Sequence, residues 1–148
     1  MKDYINYKPD KMKRVYLILI LFTSNLFSQQ NVPDEYWITD DNFETSISGK
    51  DAFGDDNPVV IVEFWAKFNE KNCFTDWDKI ENAKYFRVDI SQAPNAKKKY
   101  KIRMAPTLII FKEGIKETVF KAGLDLMLKE STADIQTAID EVNTASRF

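Results

Sequence analysis

The sequence contains no histidine and only one cysteine, Cys73. Histidine is the usual acid or base at neutral pH and the commonest metal ligand, so its absence removes both roles. A chain with one thiol cannot form an internal disulfide. Because no carboxylate cluster has ligand spacing either, we expect no metal, and nothing in the sequence indicates another cofactor.

Glycine and proline are also scarce, with 4 and 5 residues among 148, and no long disordered tail is indicated. Charge of one sign is not in large excess, because 21 basic and 23 acidic side chains give a net charge of −2. This balance gives no electrostatic support for binding nucleic acid. The length suits one domain of ordinary size with its own core.

The first 28 residues have the organisation of a secretory signal peptide. Lys13 and Arg14 precede a short apolar run, 15–22, and Ser28 stands before a polar stretch that begins at Gln29. This pattern predicts cleavage after residue 28, with Met12 as a candidate start of translation. The run is shorter than the roughly 20 residues that span a bilayer, although a membrane anchor or a buried helix is the alternative interpretation.

Removal of residues 1–28 changes the charge of the protein. The segment carries five basic and two acidic side chains, so residues 29–148 carry a net charge of −5. We expect an exported bacterial protein, periplasmic or secreted, that does not stay inserted in a membrane after cleavage. Residues 29–148 are predicted to form a single domain.

Short apolar runs alternate with helical patterns along residues 29–148. The strand patterns are aromatic, β-branched or continuously apolar, and they cover 35–39, 59–65, 85–90, 107–111 and 117–122. Asp40 or Asp41 is predicted to cap a helix that follows it. Helical patterns recur over 69–81 and 94–100, and Ser131-Thr132 is predicted to cap a last helix. The order β-α-β-α-β-α-β-β-α predicts an α/β fold with a central mixed sheet flanked by helices.

Several short motifs in this order resemble the thioredoxin family. They are Ile38 to Phe43, Val62-Glu63-Phe64-Trp65-Ala66, Asp89-Ile90, Pro94, Tyr100, Ile102-Arg103, Pro106-Thr107, Phe111-Lys112, Gly114 and Gly123. The resemblance covers roughly residues 35 to 145 and implies a thioredoxin-like fold. It also implies that the Ala105–Pro106 peptide bond is cis and lies beside the family's active site, whereas an ordinary trans proline is the alternative.

Thioredoxins carry a Cys-x-x-Cys motif after the Phe-Trp-Ala segment, and this chain does not. Asn69 and Asn72 stand in the two cysteine positions, and an asparagine cannot attack a disulfide. Cys73 is one residue further along and would reach the second position only with a one-residue insertion. Cys73 is therefore either a single reactive thiol or, as we favour, a half-buried apolar residue on the helix.

The resemblance also places an acid where thioredoxins keep a buried carboxylate, at Glu63, and a cation nearby, at Arg87. Without a thiol pair the acid has no proton-transfer role, and a lone buried carboxylate needs a cation or stays protonated. We therefore predict a structural Glu63–Arg87 pair between neighbouring strands.

Two functions are compatible with these features. The first is a non-catalytic module that binds a protein or peptide, in a groove formed by Trp65, Phe68 and the loop of Ala105, Pro106 and Thr107. For each of these two aromatic residues, however, a place in the core is the interpretation that we favour. The second function is a thiol–disulfide oxidoreductase, serving cell redox homeostasis, that works through Cys73 alone.

Overall fold

The structure is a computed structural model that describes residues 32–49 and 58–145. The predicted signal peptide, its candidate start at Met12 and the cleavage point all lie outside the described residues. Within those two ranges, no helix is both long and apolar enough to cross a bilayer.

Five strands form one mixed sheet in the spatial order β1-β3-β2-β4-β5. Their bounds are β1 Trp37–Ile38, β2 Val59–Trp65, β3 Ala83–Asp89, β4 Thr107–Lys112 and β5 Ile115–Lys121. All seven residues of β2 are buried, as expected for a continuously apolar strand covered on both faces. β2 runs parallel to β3 and antiparallel to β4, and β4 and β5 form a hairpin.

Helices cover both faces of this sheet. Their bounds are α1 Phe43–Ile47, α2 Pro94–Lys99 and α3 Thr132–Ala145. Val60, Val62 and Phe64 of β2 pack in one core cluster with α1 and α2, whereas Val59 and Ile61 pack in the other cluster with α3. The alternation follows from the two-residue period of a strand. The predicted α/β fold with a central mixed sheet and flanking helices is confirmed.

The predicted helix over 69–81 is wrong. This stretch contains two short 3₁₀ segments, Lys67–Asn72 and Trp77–Lys79, with extended backbone at Cys73 between them. The apolar spacing of Phe74, Trp77 and Ile80 is real, because all three join the core cluster that contains α3. The spacing therefore predicted the buried residues correctly but not the backbone conformation.

Asp40 also caps a different helix from the one predicted. Asn42 precedes α1 and makes no capping bond to it. Instead, the Asp40 carboxylate accepts bonds from the backbone N–H groups of Asn95 and Ala96, each at 2.9 Å. Asp40 therefore caps α2, which is distant in sequence, and long-range caps of this kind leave no local sequence pattern.

Candidate functional site

Glu63 and Arg87 face each other on adjacent strands and are both buried. They are direct partners in the β2–β3 register. The Arg87 Nε and Nη2 atoms each lie 2.8 Å from Glu63 Oε2, and the Tyr85 hydroxyl donates to the same oxygen. The structure thus brings the predicted pair together. Tyr85 was missed, although its position two residues before Arg87 places it on the same face of β3.

The backbone of Phe74 completes this cluster. Its N–H donates to Glu63 Oε1 at 2.8 Å, and its carbonyl accepts from Arg87 Nη2 at 2.9 Å. Because its N–H is donated to a side chain of the sheet, it is not available for a helical hydrogen bond, and the bond to Arg87 holds the carbonyl toward the sheet as well. This is the physical reason why the stretch after Asn72 does not continue as a helix.

The electrostatics of the cluster are dominated by its burial. Burial raises the pKa of the Glu63 carboxyl, and the Arg87 guanidinium with the bonds from Tyr85 and Phe74 offsets only part of that rise. The pKa of the Tyr85 hydroxyl lies well above its usual value, through burial and the adjacent Glu63. Glu63 is fully buried, so it cannot exchange a proton directly with a bound ligand. Its geometry serves to hold Phe74 against the sheet.

Cys73 lies at the edge of this cluster and is half-buried. It follows a 3₁₀ segment in extended conformation and is not on a helix, which corrects the expected placement. Burial, together with the Glu63 carboxylate, raises the pKa of the Cys73 thiol, and Arg87 opposes this only in part. The environment thus favours the thiol over the nucleophilic thiolate.

Asn69, in the first cysteine position, is 3% exposed, and both polar atoms of its side-chain amide form hydrogen bonds. Its Nδ2 donates to the carbonyls of Ala105 and Leu126, each at 2.8 Å, and its Oδ1 accepts from Asn72 Nδ2 at 2.8 Å. Asn72, in the second cysteine position, is partly buried. Asn69 therefore joins segments of the chain that lie 36 and 57 residues away from it, and Asn72 binds Asn69.

Three segments meet through Asn69 at one edge of the sheet, and we call them together the Asn69 face: residues 67–72, 101–106 and 121–129. The edge is where β2 and β5 end and β4 begins, since β4 is antiparallel to both. The Ala122 N–H donates to the Pro106 carbonyl at 3.0 Å and links the last two segments. The Ala105–Pro106 peptide bond is cis.

The residues expected to form a peptide groove differ in exposure. Ala105, Pro106 and Thr107 are buried, and the Ala105 carbonyl is occupied by Asn69. Trp65 is buried, and its ring meets that of Trp37 edge-on with centroids 5.2 Å apart, so it belongs to the core. Phe68 is 72% exposed. Of these five residues, only Phe68 offers its side chain to a partner.

Among residues 32–49 and 58–145, no cluster of three metal-ligating side chains occurs.

The family model for thioredoxin matches residues 35–134. The chain belongs to the thioredoxin family. Among curated proteins, none matches it in sequence. Solved thioredoxins share its fold. That of Malassezia sympodialis is 22% identical with a TM-score of 0.53, covering 71% of this chain and 89% of its own. That of Plasmodium falciparum is 19% identical with a TM-score of 0.53, covering 71% and 96%.

A mutant thioredoxin from Halobacterium salinarum shows the same likeness, with 16% identity, a TM-score of 0.54, and coverage of 71% of this chain and 87% of its own. At these identities the likeness establishes the fold. With one cysteine, this thioredoxin-family chain contains no Cys-x-x-Cys motif. What the fold does in this chain depends on the groups at its own site.

Proposed function

We propose that this protein is an exported thioredoxin-family module that performs no thiol–disulfide chemistry and binds a protein or peptide through the Asn69 face. The observation that carries the proposal is Asn69 itself. Where the family's attacking thiol would stand, this chain has a buried amide that is committed to the carbonyls of Ala105 and Leu126. A side chain so engaged is a structural tie.

The surroundings of Cys73 support the loss of redox chemistry. Disulfide exchange starts from a thiolate, and burial beside Glu63 raises the pKa of this thiol. A monothiol also needs an external agent to release a trapped partner.

The Asn69 face supports binding. Phe68 projects from it into solvent, on a segment fixed by the hydrogen bonds of its neighbour Asn69. A surface that is already ordered loses little conformational entropy when it binds. Because the Ala105 carbonyl already has a donor, we expect side chains to supply most of the contacts with a peptide.

The redox part is tested by insulin-disulfide reduction with dithiothreitol, comparing wild type with Cys73→Ser. Both proteins should leave the uncatalysed rate unchanged. Alkylation of the native wild type at neutral pH should be slower than that of a free thiol in a small peptide. Reduction by wild type that disappears in Cys73→Ser would instead establish the single-thiol oxidoreductase.

Affinity capture from the exporting cell tests the binding part, again with both proteins as bait. The same partners should be recovered with wild type and with Cys73→Ser, because the contacts are non-covalent. Partners lost in the mutant, and recovered from wild type as mixed disulfides, would contradict the proposal. For export, N-terminal sequencing of the mature protein should begin at Gln29.

A further inference from the structure

Exposed apolar side chains are concentrated on the Asn69 face. Within the described residues, four large apolar side chains are exposed, and three lie on this face: Phe68 at 72%, Leu124 at 99% and Met127 at 52%. The fourth, Ile115, begins β5 at the opposite edge of the sheet. Exposed apolar residues that are gathered at one place mark interaction sites more often than scattered ones do.

Leu124 is held in its exposed position by an ordered turn. The Leu126 N–H donates to the Gly123 carbonyl at 3.0 Å, and the Gly123 N–H donates to the Met127 carbonyl at 3.0 Å. Leu126 has a φ of 61°, in the left-handed region that costs a leucine backbone energy. Its carbonyl is one of the two that Asn69 binds. The turn is thus closed by its own bonds and tied to the rest of the face.

The same face is basic on a protein that is acidic elsewhere. Its three segments carry six basic and two acidic side chains, a net charge of +4, whereas the remainder of residues 29–148 carries −9. The six basic side chains are all exposed: Lys67, Lys71, Lys101, Arg103, Lys121 and Lys129. Lys67 forms an ion pair with Glu70, and the other five have no ion pair with a carboxylate of the described residues.

We infer that the partner of this face is an acidic protein segment with apolar side chains, which places its apolar groups on Phe68, Leu124 and Met127 and its carboxylates against the surrounding cations. This inference rests on the proposed binding function and adds the chemistry of the partner. Complementary charge at the rim of an interface steers association and excludes partners of the wrong sign.

A membrane surface with anionic lipids would also attract basic and apolar groups, but Asp125 argues against it. Asp125 is exposed and directly follows Leu124 at the tip of the turn. Its Oδ1 accepts a bond from the Met127 N–H at 3.1 Å. Insertion of Leu124 would bring this carboxylate against lipid phosphates, whereas a protein can place a donor beside it.

Selection from a phage-displayed library of random linear peptides tests the inference. Wild type should enrich peptides that combine Asp or Glu with Phe, Leu or Trp. A synthetic peptide of that type should bind about tenfold more weakly to Arg103→Glu/Lys121→Glu, mainly through slower association. Its affinity should also fall with added salt. The matched control is Lys84→Glu/Lys116→Glu, which reverses two exposed cations outside the face and should leave affinity unchanged.

A second pair of variants tests the apolar part. Leu124→Ser should abolish the selection, and it should fold normally because this side chain makes almost no contact. Ile115→Ser is its control, since it changes the exposed apolar residue at the opposite edge and should retain binding. Circular dichroism and thermal unfolding of all four variants verify the fold.

The remaining outcomes separate the inference from the proposed function. Peptides without acidic bias that still require Leu124 would overturn the acidic partner and leave the binding function standing. No selection above the Leu124→Ser background would contradict both. Leu124-dependent binding to vesicles of phosphatidylglycerol, with no peptide selected, would assign the face to a membrane. A Leu124-dependent dimer in sedimentation would show that a second copy of the chain covers it.

Discussion

At the scale of single residues, Glu63 has a different task from the one that its position in the family implies. A carboxylate with no thiol to serve is retained in the sheet because three kinds of group satisfy it: a guanidinium, a hydroxyl and the backbone N–H of Phe74. Removing one partner from such a cluster costs more than the cluster itself contributes, because the rest stays buried and unpaired.

Glu63→Gln should therefore lower the free energy of unfolding by about 3–5 kcal/mol, since an amide NH₂ replaces one of the two oxygens that accept from Arg87, Tyr85 and Phe74 and leaves a buried donor unpaired. Urea denaturation followed by tryptophan fluorescence measures the change. Glu70→Gln is the matched control, because its ion pair with Lys67 is exposed and contributes at most about 1 kcal/mol. Equal losses in the two variants would contradict the structural role of Glu63.

Asn69→Ala should destabilise the protein by about 2 kcal/mol or more, because the carbonyls of Ala105 and Leu126 lose a buried donor. The substitution is measured by the same denaturation experiment. Asn72→Ala removes one bond from a less buried side chain and should cost about 1 kcal/mol or less. If Asn69→Ala proved neutral, the amide would not be the tie between the segments of the face.

At the scale of secondary-structure elements, α3 begins with a reciprocal cap. The Asp134 N–H donates to Ser131 Oγ at 3.2 Å, and the Ser131 N–H donates to Asp134 Oδ2 at 2.8 Å. These are bonds between neighbours in sequence, and the Ser131-Thr132 pattern predicted where the helix starts. They satisfy backbone N–H groups that no preceding helical turn can bind.

Ser131→Ala should lower the free energy of unfolding by about 1 kcal/mol, through loss of this cap. Thr137→Ala, inside α3 and exposed, should be neutral or slightly stabilising because alanine has the higher helix propensity. Thermal unfolding of both variants, followed by circular dichroism at a helical wavelength, compares them. A larger loss in Thr137→Ala would exclude capping as the explanation.

The sequence allowed most of the elements to be predicted, and the reason is their periodicity. The fully buried β2 follows from the apolar run at 59–65, and α3 follows from the spacing of Ile135 and Ile139. The segment after Asn72 could not be predicted from its own residues. Its conformation is decided by Glu63 and Arg87 binding the backbone of Phe74, and helical spacing carries no record of such long-range bonds.

The candidate site, too, could be predicted from the sequence only in part. Alignment with the family placed Glu63 opposite Arg87 and put Asn69 in the thiol position. It contained no signal for Leu126, whose carbonyl binds Asn69 only after the turn at 123–127 has folded. Side-chain exposure was also undetermined, because Trp65 and Phe68 are alike in composition yet one lies in the core and the other in solvent.

At the scale of the whole molecule, the free energy of unfolding should depend on pH through Glu63 and Asp134, whose contributions change in opposite directions. Glu63 has a raised pKa, so between its ordinary value of 4.5 and the folded value the folded state holds more protons than the unfolded state. Its contribution to the free energy of unfolding therefore decreases as pH rises through that window. Hydrogen bonds from Ser131 lower the pKa of Asp134, so its contribution is lost as pH falls below 3.8.

The contribution of Glu63 to this pH dependence is isolated by comparing wild type with Glu63→Gln at several pH values. The difference between their free energies of unfolding should be larger at about pH 4 than at about pH 7. Asp134 is present in both proteins, so its contribution cancels. Urea denaturation at each pH provides the measurement, and a difference that grows with pH would require a lowered pKa for Glu63.

The bonds of Phe74 also affect how the segment around it unfolds. Its N–H and its carbonyl are bound by side chains from two central strands, so detachment of the segment that contains Cys73 while β2 and β3 stay paired would leave Glu63 and Arg87 buried without these partners. Hydrogen exchange at this amide should therefore report on global unfolding rather than on fraying of a loop. An irregular segment at the surface of the sheet thus acquires the protection that is ordinarily found in the centre of a strand.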